Sequence, residues 1–428
     1  MNNHQYPLFT VIIPQKNRAE YLVHTLKTCM IQDYPNFEVI VSDDCSDDNS
    51  VSVVKELQKL DSRIILFAHD KHLGMRDNFE FALNQVRPGY VIALGGDDGL
   101  VAGSVWRMYE ILKKTGRQLL TWPYATFKYS NESESRTMLY FRRKKTKDVR
   151  IIKSRDFLNQ LTETFYYLVD ECPMFYIKGV ASTELIKRVK SRTKDNSFYY
   201  CPTPDGFSGV VLCGEVEDYV YTNEPLTIGG NTLKSQGQNY MRTDASSRKE
   251  SEQFFNDNIR RTMHRELASQ QYSPLIPLMT ADYLFTARDL PDWPGKIGSI
   301  SIDKMIRVAF DHMASAQYAN ETLVRELNIL KQIAKYHNKE TLFNELYTKT
   351  KRKVVWDKDI YGFVLTNSIR FEGSSLGINN VFDASLVVGV AYKLYNRISL
   401  RSGLSFIART MSIIKRRFHY NLEDFPTI

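Results

Sequence analysis

Two adjacent aspartates, Asp97 and Asp98, follow the apolar run 90–94 and a pair of glycines. The run predicts a buried strand, and a carboxylate pair beside a buried strand is destabilising unless a cation meets it. Mg²⁺ or Mn²⁺, shared with substrate phosphates, suits such oxygen ligands. The glycines at 95 and 96 would allow a sharp turn and a close approach of a ligand to the backbone. A structural alternative stays open, because Asp98 could cap the helix predicted from Ser104.

Alternating strand and helix signals surround these aspartates. Short apolar, β-branched runs predict strands at 9–14, 37–41, 63–67 and 90–94. Apolar residues at helical spacing predict helices at 19–32, 50–60 and 77–86. This alternation is typical of a mostly parallel sheet with helices on both faces, in which ligands bind beyond the carboxyl ends of the strands. The segments 14–18, 43–48 and 97–98 each follow a strand, so we expect them to converge on one crevice.

These segments resemble family 2 glycosyltransferases of the GT-A fold. The sequence VIIPQKNR at 11–18 is similar to the family's V-I-I-P-x-Y-N start, and EVIVSDDCSDD at 38–48 to its E-I-I-V-V-D-D-G-S-x-D second strand. The similarity continues through His72-Leu73-Gly74 and Asn78 to Gly96-Asp97-Asp98, where the family keeps its metal-binding motif. It is strong to about residue 130 and weaker from there to about residue 240.

The resemblance implies a GT-A (Rossmann-like) α/β fold and an inverting enzyme that binds a nucleotide-diphospho-sugar. Pro14 and Asn17 would line the nucleoside pocket. Asp44, or its neighbour Asp43, would accept a hydrogen bond from the base, which suits an ionised carboxylate because it is only an acceptor.

The resemblance also assigns Asp97 to the ribose and Asp98 to the metal that bridges the diphosphate, either Mn²⁺ or Mg²⁺. Three positions depart from the family pattern. Lys16 replaces an aromatic residue, Cys45 replaces a glycine, and Gly95 stands where many members carry an aspartate. Because of the last departure, the roles of Asp97 and Asp98 could be exchanged. Lys16 is either a substrate contact or a solvated loop residue, and Cys45 is expected to be a small buried side chain.

Sugar transfer also needs a general base for the acceptor hydroxyl. Asp205, after Pro204, resembles the late acidic motif of the family and is the candidate; the alternative is that it only caps the helix that follows. Beyond it, the Gly-rich stretch 225–237 matches a position where the family often has a loop that folds over the donor. Lys234 would then reach the diphosphate, whereas the alternative is a plain surface loop.

The chain is predicted to have two domains. A GT-A glycosyltransferase domain would occupy residues 1–240, with a nucleotide-sugar half at 1–130 and an acceptor half at 131–240. The remaining 246–428 is predicted to be mainly helical, because amphipathic patterns such as 320–336 recur and the loop 290–295 carries two prolines and a glycine. Its role would be acceptor binding, membrane contact or self-association as a homo-oligomer.

Basic residues are concentrated near the end of this chain, whose formal net charge is +8. Between Ala384 and Tyr420 seven Lys and Arg side chains alternate with apolar residues, and no Asp or Glu opposes them. That pattern suits a helix lying on an anionic membrane surface. A packing helix with a solvated basic face is the alternative. Nucleic acid is not an expected partner, because no recognition motif is present.

Cysteine usage and hydropathy favour a cytoplasmic enzyme, with the inner face of the membrane as a further possible location. The five cysteines include no C-x-x-C pair, which fits a reducing compartment. The polar start predicts no signal peptide, and no apolar run approaches the ~18 residues of a membrane span.

The combined prediction is an inverting glycosyltransferase that moves a sugar from a nucleotide-diphospho-sugar to a hydroxyl of a glycan or lipid-linked acceptor, in cell-surface polysaccharide synthesis. UDP is preferred only because the family commonly uses it. Two alternatives remain. A sugar nucleotidyltransferase should have a Gly-rich phosphate loop after its first strand, but 14–18 contains no glycine. An inactive glycan-binding scaffold would have no need for the acidic residues Asp44, Asp97, Asp98 and Asp205.

Overall fold

The structure is a computed structural model of the 428-residue chain. It describes residues 6–130, 136–142, 149–201, 203, 205–232, 249, 253–254, 261–316, 318–355, 364–365, 368–397 and 420–427. The chain divides into two compact units. Unit 1 comprises Met1–Ser154, Asp170–Thr232 and Tyr361–Lys415, and unit 2 comprises Arg155–Val169, Leu233–Ile360 and Arg416–Ile428.

The described part of unit 1 contains two β-sheets. The strands of the larger sheet are β1 (Phe9–Gln15), β2 (Phe37–Asp43), β3 (Ile64–Ala68), β4 (Tyr90–Ala93), β6 (Leu119–Thr121), β9 (Val149–Lys153), β10 (Gly179–Ser182) and β11 (Asp218–Thr222). Those of the second are β5 (Gly99–Leu100), β7 (Ala125–Lys128), β8 (Met138–Arg142), β12 (Thr227–Asn231), β14 (Val364–Leu365) and β15 (Ser368–Glu372). The remaining strands, β13 (Arg352–Val355) and β16 (Tyr420–Glu423), pair with each other in unit 2.

The larger sheet has the order β3-β2-β1-β4-β10-β6-β11-β9. Four of its seven pairings are parallel, including all three that join β3, β2, β1 and β4. The other three, around β10 and at β9, are antiparallel. The second sheet has the order β14-β15-β8-β7-β12-β5. The predicted fold class, a mixed and mostly parallel sheet flanked by helices, is confirmed.

The helices of unit 1 are α1 (Ala19–Met30), α2 (Ser50–Leu60), α3 (Met75–Asn84), α4 (Ser104–Thr115), α6 (Thr183–Lys190), α7 (Gly206–Gly214) and α12 (Val381–Arg397). Each predicted strand and helix of the first 94 residues is present, with ends that differ from the prediction by no more than two residues. The agreement follows from complete burial: every residue of β1 and β2 is buried, as expected for the centre of a sheet covered on both faces.

Unit 2 is mainly helical, as predicted for the C-terminal region. Among the described residues, its helices include α5 (Ser154–Thr164), α8 (Ile276–Arg288), α9 (Ile302–Ser315), α10 (Asn320–Tyr336) and α11 (Glu340–Lys349). The predicted helix 320–336 coincides with α10, and the apolar side chains that define its stripe are buried. The predicted loop 290–295 lies between α8 and α9.

The two units do not follow the predicted division near residue 240. Residues 155–169 group with unit 2, and the segment that contains α12 groups with unit 1. The reason for the second difference is packing. One face of α12 supplies Val381, Ala384 and Val388 to an apolar core that also contains Phe127 of β7 and Ile228 of β12.

Candidate active site

Three loops at the carboxyl ends of β1, β2 and β4 lie together. The Asn17 backbone N–H donates to Ser46 Oγ (2.9 Å), and Asn17 Oδ1 accepts from the Asp47 backbone N–H (2.8 Å). On the other side, a Cβ placed at Gly96 would lie 3.1 Å from the Cβ atoms of both Gln15 and Arg18. The three segments expected to converge therefore do so at one edge of the sheet.

Backbone conformation accounts for the glycine that the family prefers at position 45. Asn17 and Cys45 both have left-handed backbone, with φ of 54° and 56°. Glycine is the residue that adopts this region without strain, so the family's preference for glycine at position 45 has a steric cause. The Cys45 side chain is partly exposed and its Sγ lies 3.7 Å from the Asp70 carbonyl oxygen. The prediction that it is buried is wrong, because the tight turn directs it toward the loop after β3.

The carboxylate of Asp43 is held within its own turn. Its Oδ1 accepts from the Ser46 backbone N–H (2.9 Å), and its Oδ2 accepts from Ser46 Oγ (2.7 Å) and from Gln15 Nε2. Asp43 is 1% exposed. Pro14 is buried in β1 and lies opposite Ser42, the residue before Asp43 in β2.

The carboxylate of Asp44 binds the loop that precedes α3. Its Oδ1 accepts from the Leu73 backbone N–H (2.6 Å), and its Oδ2 accepts from the Gly74 backbone N–H (3.1 Å). His72 Nδ1 lies 2.8 Å from the same Oδ2. The segment His72-Leu73-Gly74, which contributed to the family resemblance, therefore forms a cradle for Asp44. A carboxylate has about four lone-pair sites, so these three contacts leave room for one more donor.

Asp98 connects β4 to β12. Its Oδ2 accepts from the Gly95 backbone N–H (2.7 Å) and its Oδ1 from the Gly230 backbone N–H (3.0 Å). The Tyr176 side chain also hydrogen-bonds to this carboxylate. The helix α4 is preceded by Gly103 at its cap position. The alternative that Asp98 caps this helix is therefore wrong.

Burial sets the charge state of Asp98. It is 2% exposed, and burial, followed by the negative charge of Asp97, raises its pKa to about 7. Its donors, two backbone amides and a phenol, are neutral groups and only partly offset this effect. Asp97 Oδ2 accepts from Thr232 Oγ1 (3.2 Å). The pair is thus a concentrated negative charge whose ionised form a bound cation would stabilise.

Two tyrosines that were not predicted from the sequence line this region. Burial and then the charges of Asp98 and Asp97 raise the pKa of Tyr176. Tyr124 lies with its ring against Gly229, where an added Cβ would be 2.9 Å from the ring carbons Cδ2 and Cε2. Tyr124 is 37% exposed. Burial of the rest of the side chain, followed by the negative charge of Asp98, raises its pKa. A ring that is enclosed on most sides and still reaches solvent is typical of the wall of a cleft.

Asp205 belongs to the same electrostatic environment as Asp98. The negative charge of Asp205 raises the pKa of both Tyr124 and Tyr176, after burial and the charge of Asp98. Asp205 directly precedes α7, but its side chain makes no capping hydrogen bond to that helix. The structural alternative for Asp205, a helix cap, therefore has no support from the geometry. Lys234 lies outside the described residues.

The donor chemistry of the site fits a hard divalent cation. Among the described residues, no group of three or more His, Cys, Asp and Glu side chains forms a complete metal cage. A cation at Asp98 would therefore need further oxygen ligands from Asp97, water or a bound diphosphate, which is the usual arrangement for Mg²⁺. The two carboxylates supply oxygen ligands, and the raised pKa of Asp98 indicates that its charge lacks full compensation within the protein.

None of the described helices is both long enough and apolar enough to cross a bilayer.

Comparison with known proteins matches part of this chain to a family. Residues 10–167 match the family model described as Glycosyl transferase family 2. A GalNAc(5)-diNAcBac-PP-undecaprenol beta-1,3-glucosyltransferase of Campylobacter jejuni is 38% identical over 100 residues, which cover 23% of this chain and 32% of that protein. The putative teichuronic acid biosynthesis glycosyltransferase TuaG of Bacillus subtilis is 32% identical over 92 residues, covering 22% of this chain and 36% of that protein.

The matched part is limited in extent. The chain spans about a third of the length of these two curated relatives.

The crystal structure of S. aureus TarS 1-349 in complex with UDP-GlcNAc aligns with a TM-score of 0.43 and 12% identity, covering 82% of this chain and 95% of that one. The family match begins within β1 and contains both aspartate pairs. The chain therefore carries a family 2 glycosyltransferase domain at residues 10–167.

Proposed function

We propose that the protein is an inverting glycosyltransferase that moves a sugar from a nucleotide-diphospho-sugar, UDP-linked by the habit of its family, to a hydroxyl of a glycan or lipid-linked acceptor. The observation that carries the proposal is the buried pair Asp97 and Asp98 at the carboxyl end of β4, with Asp205 acting on the same two tyrosines. The loops after β1 and β2 would then bind the donor, the aspartate pair would hold the cation, and Asp205 would supply the base.

The nucleoside would bind against the loops after β1 and β2. Pro14 and Asn17 would line its pocket, and Asp44 or Asp43 would accept from the base. Leu73, Gly74 and His72 occupy three acceptor sites of the Asp44 carboxylate. The base N–H would therefore bind at the remaining one. The cradle fixes the direction of that site, which is what selective recognition of a base N–H requires.

Asp98, with Asp97 beside it, would hold Mn²⁺ or Mg²⁺, and Asp97 would contact the ribose. When bound, the ion neutralises the charge that builds on the departing diphosphate. The protein's own contribution is to keep the Asp98 carboxylate fixed, through the amides of Gly95 and Gly230 and the Tyr176 hydroxyl. Lys234 stays a predicted contact to the diphosphate.

Asp205 would act as the general base. The acceptor oxygen attacks the anomeric carbon while the bond from that carbon to the diphosphate oxygen breaks, and the acceptor proton passes to the Asp205 carboxylate. A single displacement of this kind inverts the anomeric configuration. Asp205 directly precedes α7, and its side chain makes no capping hydrogen bond to that helix.

The names of the relatives support the class of acceptor. The Campylobacter protein is named for an undecaprenol-linked substrate and the Bacillus protein for teichuronic acid biosynthesis. A lipid-linked or growing surface glycan would place this enzyme on the cytoplasmic face of a membrane. The nucleotidyltransferase alternative is disfavoured because the loop after β1 lacks glycine and the family match covers it.

Calorimetry tests the donor site. The purified chain is titrated with UDP, GDP and CDP, each with and without Mn²⁺, and the titrations are repeated on Asp98→Ala. We expect one nucleotide to bind only with the metal, and this binding to be lost in the variant. An Asp205→Asn variant should bind the same nucleotide normally and fail to transfer sugar. The absence of binding to any of the three would contradict the transferase and favour the inactive scaffold.

A further inference from the structure

The helix α12 is apolar on two faces. Its inner face is buried through Val381, Ala384, Val388 and Tyr392, which pack in the core of unit 1. Its outer face carries Leu386, which is 49% exposed, and Val390, which is 58% exposed. A surface helix ordinarily has polar residues opposite its buried stripe, so large apolar side chains at successive turns of the outer face mark an interaction surface.

The outer apolar residues form one stripe with a lysine. Leu386, Val390 and Lys393 are spaced by four and three residues, so they lie on the same side of the helix. Lys393 is exposed. We call Leu386, Val390 and Lys393 the outer stripe of α12.

The charge of the surrounding sequence identifies the kind of partner. From Ala384 to Leu422 the chain contains no Asp or Glu, whereas it contains seven Lys and Arg residues, at 393, 397, 401, 409 and 415–417. An apolar stripe that carries Lys393 and is followed in the sequence by basic residues without intervening acidic ones complements a surface that is both apolar and anionic. A bilayer with acidic phospholipids has that combination, and each basic residue near it contributes about 1 kcal/mol.

The position of α12 in unit 1 connects this surface to the active site. The Ala102 backbone N–H, just after β5, donates to the Ser385 carbonyl oxygen (3.2 Å). A Cβ at Gly389 would lie 3.3 Å from Val101 Cγ1. The helix also packs against β12, whose Gly230 donates to Asp98. A surface held by α12 would therefore be held at a fixed distance from the aspartate pair.

We propose that the outer stripe of α12 docks the protein on an anionic phospholipid bilayer, with Leu386 and Val390 inserted at the interface and Lys393 beside the lipid phosphates. Docking of this kind would present the donor site to a lipid-linked acceptor. Membrane docking is a separate property from sugar transfer. Vesicle binding and nucleotide binding are measured separately, so the failure of one does not imply the failure of the other.

Vesicle co-sedimentation tests the proposal on the full chain. The probes are vesicles of phosphatidylcholine alone and of phosphatidylcholine mixed with an equal part of phosphatidylglycerol. We expect binding to the mixed vesicles, weakened by salt, and little binding to the neutral ones. The double variant Leu386→Ser, Val390→Ser should lose affinity by about tenfold or more, and Lys393→Gln by about fivefold.

Leu60→Ser is the matched control, since Leu60 on α2 is 75% exposed and is not part of the outer stripe. This variant should bind the mixed vesicles as the parent protein does, and all variants should bind nucleotide equally. Equal vesicle binding by the double variant and the parent would overturn the proposal. So would a failure of the parent to bind the mixed vesicles. A double variant that becomes monomeric while the parent is a dimer would assign the stripe to a second copy of the chain.

Discussion

The two aspartate pairs of the active site are stabilised in different ways. Asp43 and Asp44 each accept hydrogen bonds from several donors in the adjoining loops, so their carboxylates organise the turns after β2 and before α3. Asp98 also accepts two backbone hydrogen bonds, yet burial and Asp97 still raise its pKa to about 7. The first pair holds the surrounding loops in place, whereas the charge of the second pair is only partly stabilised by its hydrogen bonds.

This difference indicates what each pair is for. A carboxylate that accepts hydrogen bonds from several loop donors fixes geometry, and its removal damages the fold. A buried carboxylate beside another negative charge weakens the fold and is retained where a cation or a reaction needs it. We therefore expect substitutions in the first pair to lower stability in addition to weakening the proposed base recognition, and substitutions in the second pair to affect mainly activity.

The largest effect is expected from Asp98→Asn. Loss of the anionic ligand should lower the transfer rate by about a thousandfold, since electrostatic stabilisation of the leaving diphosphate contributes several kcal/mol. The free energy of unfolding should change by no more than about 1 kcal/mol, because removing the buried charge offsets the weakened hydrogen bonds. Single-turnover kinetics and urea denaturation measure the two quantities. Asp311→Asn, at an exposed position on α9, is the control and should leave both unchanged.

The second prediction concerns pH in the metal-free protein. The pKa of Asp98 is about 7 in the folded protein, whereas an aspartate in the unfolded chain has the ordinary value of 3.8. Between these values the folded protein holds a proton that the unfolded chain has released, so stability should fall as pH rises from about 4 to about 7. The contribution is of the order of a few kcal/mol.

Chemical denaturation in the presence of a chelator, at a series of pH values, measures this slope. Asp98→Asn has no carboxyl group to titrate at this position, so the slope should become smaller in that variant. The stabilisation that added Mn²⁺ provides should also increase with pH, because the ion competes with the proton. A variant and a parent with identical pH profiles would contradict the assigned charge state of Asp98.

The third prediction is that Asp44→Ala lowers the free energy of unfolding by about 2 kcal/mol. The substitution leaves the Leu73 and Gly74 backbone N–H groups without their acceptor, and such groups are costly when buried. Asp44→Asn retains one acceptor oxygen and should cost about half as much. Urea denaturation checks both values. If Asp44→Ala and Asp98→Asn destabilised the protein equally, the proposed contrast between the pairs would be lost.

The part of the site that was predicted from the sequence consists of residues close in the chain to strong local patterns. The strands β1, β2 and β4 are short buried runs, and their carboxyl ends are where ligands bind in parallel sheets. Asp43, Asp44, Asp97 and Asp98 could be placed from this rule together with the family resemblance.

The other residues reach the site through long-range packing. Tyr124 and Tyr176 belong to segments whose local sequence carries no signal for the site, and they contact it only after the chain returns past β4. Gly230 lies in the Gly-rich stretch singled out from the sequence, but its hydrogen bond to Asp98 depends on the pairing of β12 with β5. The grouping of α12 with unit 1 has the same origin. Its amphipathic pattern predicted a helix, but its partners β5 and β12 precede it by more than 140 residues.

The smallest expected effect tests how rigid the first pair's turn is. Cys45 has φ of 56°, where a side chain costs about 1 kcal/mol and glycine costs little. Glycine also makes the unfolded chain more flexible, so the net gain from Cys45→Gly should be only about 0.5 kcal/mol. Asn17 has the same backbone conformation, but its Oδ1 accepts from Asp47. Asn17→Gly should therefore destabilise the protein by about 1 kcal/mol. Denaturation of both variants gives the change in the free energy of unfolding for each. Changes of opposite sign would show that backbone strain matters at position 45 and the side-chain hydrogen bond at position 17. Changes of the same sign would mean that the turn relaxes around either residue.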